Sequence, residues 1–492
     1  MHTREGGGLW TRRSARSSVA PRAGLALVAA LVAGACAKSP SPPPGGGPSG
    51  APSAPALLPG ANVLFITVDT LRADRLGPYG FDRPISPALD RLAAEAVVFD
   101  EAQSSTSWTL PALATLMTSH PTSTHGAWDF ESPLDESYTT LAEILASNGY
   151  DTAAVASHVF LGREFGLAQG FTHFDDDLVQ QIELSHLAVT SDAVTERGVR
   201  FVERKAAARA AGVDDTPWFL WLHYFDPHHT YFAHTDFPFG DSEEDRYLSE
   251  IAFTDRAIGR VLDTLRATGS EADTIVVFTA DHGEEFGDHG GLYHGLTLHR
   301  EVVRVPLIVR VPGVAARREA AAVGIGDVLG TVLEVVGVEP RNELSGRSLV
   351  PALKGEPLDD APVIAELRRT VDARFDALLV GPWKLIRDRG EAGTLELYER
   401  LVDPTETLDV AHRHPGTVLE LAESLDALVQ QAEVAGSGFG RQRRGVGADM
   451  AQALEALGYV DGVAPSPADG ASGEPDGEPD GDLDGNGAGD GR

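Results

Sequence analysis

The sequence predicts an α/β protein: an α/β/α sandwich around a largely parallel central sheet, followed by a smaller C-terminal α+β subdomain. Three observations predict it. Short, continuous apolar runs rich in β-branched residues alternate with segments of helical periodicity. The three strongest of these runs each end at an acidic residue or two positions before one. Beyond residue 360 the apolar runs shorten, and one long helical pattern closes the folded part.

Asn62 to Val68 (NVLFITV) reads as a buried central strand. Leu89 to Ala96 and Tyr138 to Ser147 read as helices, and Thr152 to Ala156 as a short strand. Leu178 to Ala211 is a long helical stretch, and Trp218 to Tyr224 (WFLWLHY) a second buried strand. Glu244 to Thr268 carries Tyr247, Ile251, Ile258, Val261, Leu262 and Leu265 at helical spacing, and Gly269 stops it. Thr274 to Thr279 (TIVVFT) is the third buried strand. Phe375 to Val380, Lys384 to Ile386 and Leu395 to Tyr398 are shorter strands, and Gly416 to Val434 is a helix. Strand–helix alternation of this kind builds a sheet covered on both faces. No internal repeat is present.

The chain has 492 residues, 42% apolar and 23% charged, which excludes wholesale disorder. Lys and Arg number 40 against 73 Asp and Glu, a net charge of −33. That acidity opposes nucleic-acid binding, which wants a basic face. The single cysteine, Cys36, excludes an intrachain disulfide and a Cys-based zinc site. Residues 1–35 read as a lipoprotein-type signal. Arg4, Arg12, Arg13, Arg16 and Arg22 form a basic region, and Ala23 to Ala35 is apolar but too short to span a bilayer. It ends Ala33-Gly34-Ala35-Cys36, which resembles a bacterial lipobox with Cys36 as the lipidated residue; an ordinary secretory signal is the alternative. Ala37 after the cysteine implies the outer membrane. Residues 36–59 are a Pro/Gly/Ser-rich tether. Residues 60–360 form the expected main domain and 361–462 the subdomain. Residues 463–492 are an acidic tail expected to be disordered. Its Asp480 to Gly485 run has Gly491 where a calcium loop needs a carboxylate, so a solvated tail is the better reading.

Ligand groups of α/β sheets gather at the carboxyl ends of strands. There the sequence places Asp69, then Asp226 with His228, then Asp281 with His282. Carboxylates and imidazoles converging in this way suit a divalent metal. A further segment, Thr109-Leu110-Pro111-Ala112-Leu113, opens a helix, since Pro111 suits a first turn. Thr109 then stands where the helix dipole favours negative charge, either as a cap or as a nucleophile activated by a metal.

Together these segments resemble the sulfatase family of the alkaline phosphatase superfamily, over most of residues 60–460. Asn62 to Asp69, with Thr70, Arg72, Asp74 and Gly77, is similar to the family's opening strand and first metal Asp. Thr109-Leu-Pro111-Ala-Leu113 stands where the family has Cys-x-Pro-x-Arg. His223-Tyr-Phe-Asp226-Pro-His228 resembles a segment carrying an active-site His, and Thr279-Ala-Asp281-His282-Gly283-Glu284 the second metal segment. Leu397-Tyr398 and Asp403-Pro404-Thr-Glu406 resemble the C-terminal signature. The resemblance implies an alkaline phosphatase-like fold, one divalent ion (Mn, Mg or Ca) on Asp69, Thr109, Asp281 and His282, and catalytic roles for Thr109, His228, His294 and His158. His294 stands at the position of a family Lys, and His158 is what remains of a Lys-x-His segment.

The departures matter. Family members oxidise the motif Cys or Ser to formylglycine; Thr109, with a methyl on Cβ, cannot give that aldehyde. Leu113 replaces the partner Arg and Thr70 a second metal carboxylate. The set is closer to single-metal, Thr-nucleophile phosphotransferases. The leading expectation is a metal-dependent hydrolase or transferase of sulfate or phosphate esters on a glycan, lipid or small molecule. Nucleic acid is excluded, and the membrane is reached through the lipid anchor in the cell envelope, on the outer membrane or periplasmic face. The alternatives are a strict sulfuric ester hydrolase, a non-catalytic sulfatase-like surface lipoprotein, and a solute-binding protein that would leave the metal ligands unexplained.

Overall fold

The structure, a computed structural model, describes residues 56–179, 189–369, 374–390 and 393–444. Cys36, the signal, the tether and the acidic tail lie outside the described residues. So does the upstream part of the expected long helix, residues 180–188.

Eight strands form the main sheet: β1 (Asn62–Val68), β2 (Val97–Gln103), β3 (Asp151–Val155), β4 (His173–Asp175), β5 (Trp218–Tyr224), β6 (Thr274–Ala280), β9 (Arg304–Arg310) and β10 (Arg317–Gly324). A two-stranded ribbon, β7 (Glu285–Phe286) and β8 (Leu292–Tyr293), projects between β6 and β9. The spatial order is β10-β2-β9-β6-β1-β5-β3-β4. All pairings are parallel except those of β9, which runs against both β6 and β2. β1 sits between β5 and β6, with Val68 beside Tyr224 and Ala280. Three chain segments therefore leave the sheet at one edge, carrying Asp69, Phe225 and Asp281. Every residue of β1, β5 and β6 is buried, because helices cover both faces.

Described helices include α1 (Pro87–Ala93), α2 (Thr109–Thr118), α3 (Thr122–His125), α4 (Leu141–Ser147), α5 (Ser191–Ala210), α6 (Glu243–Thr268), α7 (Arg300–Val303), α8 (Asp327–Val336), α9 (Val350–Lys354) and α10 (Pro415–Gly436). Their ends follow capping chemistry. Thr140 and Glu143 form a reciprocal capping box, so α4 starts at Leu141 rather than at Tyr138. The Ser242 side chain accepts from the Asp245 N–H to open α6, and Gly269 closes it in the left-handed conformation at φ 75°. Asp255 of α6 accepts the Ala88 and Leu89 N–H groups, holding the start of α1. α1 ends at Ala93, short of the expected Ala96, where the chain turns into β2.

Seven of the described strands escaped the sequence reading: the short β4, β7 and β8, then β11 (Val363–Arg368), and three long strands of the main sheet, β2, β9 and β10. β2 and β10 mix charged with apolar residues, and β9 carries Pro306. Periodicity is weak in these three long strands.

A separate antiparallel sheet, β11 (Val363–Arg368), β12 (Arg374–Val380), β13 (Trp383–Asp388) and β14 (Leu395–Glu399), follows in meander order. α10 packs on one face through Leu421, Leu425 and Val429. The other face joins the main core through Ala365, Leu367, Ala377, Ile386 and Tyr398. At this seam the buried Lys384 ammonium is 2.7 Å from Glu406, whose carboxylate also accepts the Arg300 N–H. Among the described residues, no helix is long and apolar enough to cross a membrane.

Candidate active site

Asp69, Asp281 and His282 converge at the carboxyl edge of β1 and β6, all fully buried, with their ligand atoms within 4.8 Å of one another. Local backbone enforces this. Thr70, at φ 53°, turns its N–H onto Asp281 Oδ1 at 3.2 Å, and the His282 N–H reaches the same oxygen at 2.8 Å. Asp281 Oδ2 and both Asp69 oxygens are left buried with no hydrogen-bond partner. His282 Nδ1 donates to the Gly283 carbonyl at 3.0 Å, so its lone pair is on Nε2. That lone pair lies 3.4 Å from Asp281 Oδ2 and 3.9 Å from Asp69 Oδ1. Acceptors facing acceptors in a buried site call for a cation between them. Hard oxygens with one imidazole fit a divalent metal.

Burial and the Asp281 and Glu284 charges push Asp69 well above the usual carboxylate range; burial also raises Asp281. Gly283 is required here. A Cβ would stand 2.0 Å from the Glu301 carbonyl, which crosses directly over it.

Thr109 is the first residue of α2, after Trp108, and is fully buried. Its Oγ1 is 3.2 Å from His282 Nε2. It is not the N-cap: Trp108 occupies that place, without a side-chain cap. The hydroxyl is thus available to the site, at the positive end of a ten-residue helix. The Thr70 hydroxyl is not, since it donates to the Pro227 carbonyl at 3.2 Å.

The structure brings His158, His228 and His294 around this group. The His294 ring centre is 4.6 Å from that of His282 and 5.0 Å from that of His228, and His158 is 5.7 Å from His228. Their tautomers differ. Phe160 N–H donates to His158 Nδ1 at 3.0 Å, so the neutral ring carries its proton on Nε2, 3.4 Å from Asp69 Oδ2. His228 Nδ1 donates to the His229 carbonyl at 2.5 Å, leaving Nε2 as its acceptor. His294 Nδ1 is 2.8 Å from Glu284 Oε1, and the Tyr231 hydroxyl donates to Glu284 Oε2 at 2.7 Å. Burial, reinforced by neighbouring imidazoles, holds all three rings well below the usual histidine range. Burial lifts Glu284 to about 7.

One candidate expected from the sequence does not join the site. Asp226 leaves the same sheet edge, but its carboxylate accepts the Thr190 and Ser191 N–H groups at 2.8–3.1 Å and caps α5. It is saturated by that role. Two residues were missed. His223 Nε2 lies 3.7 Å from Asp69 Oδ2, its Nδ1 anchored on Thr67. Its signal was a lone histidine inside an otherwise apolar strand. Glu284, which orients His294, followed the Asp281-His282 pair directly.

A second grouping, His289, His299 and Glu301, has the donor types of a metal site. Its hydrogen bonds are complete, however. His289 bonds Glu301 at 2.7 Å and the Glu406 carbonyl at 2.8 Å, and His299 bonds Thr297 and Glu396. It works as an ion-pair clamp.

The family model described as Sulfatase matches residues 61–338. The chain is 30% identical to arylsulfatase K of Gallus gallus over 199 residues, 38% of this chain and 37% of that protein. It is 22% identical to the uncharacterized sulfatase YidJ of Escherichia coli K12 over 356 residues, 59% of this chain and 70% of that one. The solved phosphonate monoester hydrolase of Agrobacterium radiobacter superposes with a TM-score of 0.60 at 22% identity, covering 76% of this chain and 96% of the other. The matched segment thus spans little more than a third of arylsulfatase K. The fold is alkaline phosphatase-like, as the sequence implied.

Proposed function

Since the chain belongs to the sulfatase family, we propose that it is a metal-dependent hydrolase or transferase of anionic esters, with Thr109 as nucleophile and phosphoryl groups preferred over sulfuryl groups. The observation that carries this is the meeting of three partnerless buried carboxylate oxygens with the Thr109 hydroxyl at a helix N-terminus. Asp69, Asp281, His282 and Thr109 would hold one divalent ion. When bound, it would neutralise charge on the transferring group and ease ionisation of the hydroxyl. The hard donor set suits Mn, Mg or Ca.

The chain's own groups would do the rest. The N-terminus of α2 favours the alkoxide of Thr109. His158 offers its Nε2–H to an oxygen of the transferring group. Burial keeps the His294 ring neutral, so it would act in the tautomer in which Glu284, itself lifted to about 7, is protonated and donates to Nδ1; the ring then passes its Nε2 proton to the leaving oxygen as Nδ1 takes the Glu284 proton. The preference for phosphate follows from the second half of the reaction. A formylglycine hydrate sheds sulfate through its second hydroxyl, whereas Thr109 has one hydroxyl and its sulfate ester has no such exit. Phosphothreonine is attacked at phosphorus by water or an acceptor alcohol, breaking the P–Oγ1 bond and returning the threonine hydroxyl.

The residues outside the described structure support an envelope location, with lipid on Cys36 and residues 36–59 as a spacer. The test of activity is kcat/KM for matched phosphate and sulfate esters on metal-loaded wild type, Thr109→Ala and Thr109→Ser. Wild type should favour phosphate, Thr109→Ala should lose on the order of a thousandfold, and Thr109→Ser should retain most turnover. A sulfate preference, or full activity in Thr109→Ala, would overturn the proposal.

A further inference from the structure

One buried imidazole beside the site has no part in the chemistry proposed above. His223, near the end of β5, is fully buried, and its Nε2 has no hydrogen-bond partner. It stands beside Thr67 in the register of β1 with β5, and a chain of polar groups fixes it there. Trp221 Nε1 donates to Thr67 Oγ1 at 2.9 Å, and Thr67 Oγ1 is 2.8 Å from His223 Nδ1. The direction of that second bond follows from the protons available. An indole N–H can only donate, so the Thr67 oxygen receives it and the one hydroxyl proton goes on to His223 Nδ1. The reverse tautomer would bury the Thr67 hydroxyl proton without an acceptor among the described residues. His223 therefore carries its ring proton on Nε2.

That Nε2 lies 3.7 Å from Asp69 Oδ2, which is also buried without a hydrogen-bond partner. The gap is longer than a hydrogen bond, yet it separates an unpaired donor from an unpaired acceptor in full burial. The two oxygens of Asp69 thus meet different surroundings. Oδ1 is 3.9 Å from His282 Nε2, whose lone pair calls for a cation. Oδ2 has His223 at 3.7 Å and His158 Nε2 at 3.4 Å. His158 is assigned to the transferring group, which leaves His223 as the donor given to Asp69 alone. Its surroundings hold it in place. The His223 carbonyl accepts from Ser157 Oγ at 2.5 Å, and the rings of Trp221 and His158 flank the imidazole at 6.1 and 6.2 Å between centres.

We propose that His223 is a positioning residue for Asp69: its Nε2–H holds Oδ2, leaves Oδ1 for the divalent ion, and so tightens metal binding without touching ion or substrate. Thr67 and Trp221 continue the chain into the sheet and lock the His223 tautomer. This rests on the metal-dependent function proposed for the site.

The experiment is calorimetric titration of the chelator-treated full chain with Mn²⁺, beside thermal unfolding in chelator. His223→Leu removes the donor, and His223→Gln restores an amide N–H in its place. Thr67→Val keeps His223 but unlocks its tautomer. His223→Leu should weaken Mn²⁺ binding about thirtyfold in Kd, His223→Gln should stay within about fivefold of wild type, and Thr67→Val should fall between them. In chelated protein with ¹⁵N-labelled histidine, the ring signal that vanishes in His223→Gln should be that of the Nε2–H tautomer. A merely structural His223 predicts lower thermal stability with Kd unchanged. Unchanged Kd in His223→Leu, a loss in His223→Gln as large as in His223→Leu, or an Nδ1–H tautomer would overturn the proposal. If His223→Leu does not fold, Thr67→Val decides: weakened binding supports the role and wild-type binding overturns it. A wild type that binds no Mn²⁺ would overturn the metal reading of the whole site, and the role of His223 with it.

Discussion

Asp281→Asn separates a metal site from a merely buried acid pair. Without a cation, Asp69 and Asp281 bring like charges within 4.8 Å in full burial. At an effective dielectric near 20, that repulsion is on the order of 3 kcal/mol. Part is already relieved by proton uptake, because burial raises both carboxyls. The asparagine keeps the oxygen that accepts from Thr70 and His282 at 3.2 and 2.8 Å. It also turns an NH₂ toward oxygens of Asp69 that now lack a partner. The metal-free variant should therefore be as stable as metal-free wild type, or more stable by up to about 3 kcal/mol. Added Mn²⁺ or Ca²⁺ at about 100 times its Kd should stabilise wild type by roughly 2.7 kcal/mol and leave the variant nearly unmoved. Thermal unfolding of chelated and metal-loaded samples reads both effects. A variant less stable than wild type in chelator, yet still shifted fully by metal, would refute the reasoning.

Other predictions concern the scaffold. Glu301 and Glu406 overcome partial burial and lift His289 to about 9. Its ion pair is therefore fully present below the unfolded value near 6.5 and is lost as pH rises through 9; screening limits the effect to about 1 kcal/mol. His289→Gln should flatten the stability-versus-pH curve between those limits, and an unchanged slope would refute the clamp. Asp226→Ala should cost about 2 kcal/mol in denaturant unfolding by exposing the Thr190 and Ser191 N–H groups, with the metal-induced shift preserved. A lost shift would return Asp226 to the metal site. Cys36→Ala should release the protein from the membrane fraction and abolish fatty-acid labelling, and equal retention would exclude a lipid anchor.

The site was largely legible because its residues sit next to the strongest local signals in the chain. NVLFITV, WFLWLHY and TIVVFT are runs that can only be buried strands, and the segment after each leaves the sheet at the same edge. The failures occur where long-range pairing decides. Asp226 stands at such an edge, yet the start of α5 claims its oxygens, and no local pattern announces that. β9 and β10 form because neighbouring strands supply ladder partners, not because their own sequences insist. His223 stands inside an apolar strand run, and only its register beside Thr67 brings it against Asp69.

The pairing of β1 with β6 also fixes when the metal pocket comes into existence. Thr70 and Asp281 touch across 211 positions. During synthesis, the first half of the pocket emerges long before its counterpart, and β1 waits with both edges open until β5 and β6 arrive. A ribosome halted before Thr274 carries half a pocket, with no ability to capture an ion. Metal uptake by stalled chains of graded length is thus a ruler for closure of the central sheet. Contacts this distant in sequence are also the slow ones to form. Acquisition of the proposed ion should therefore follow closure of the central sheet.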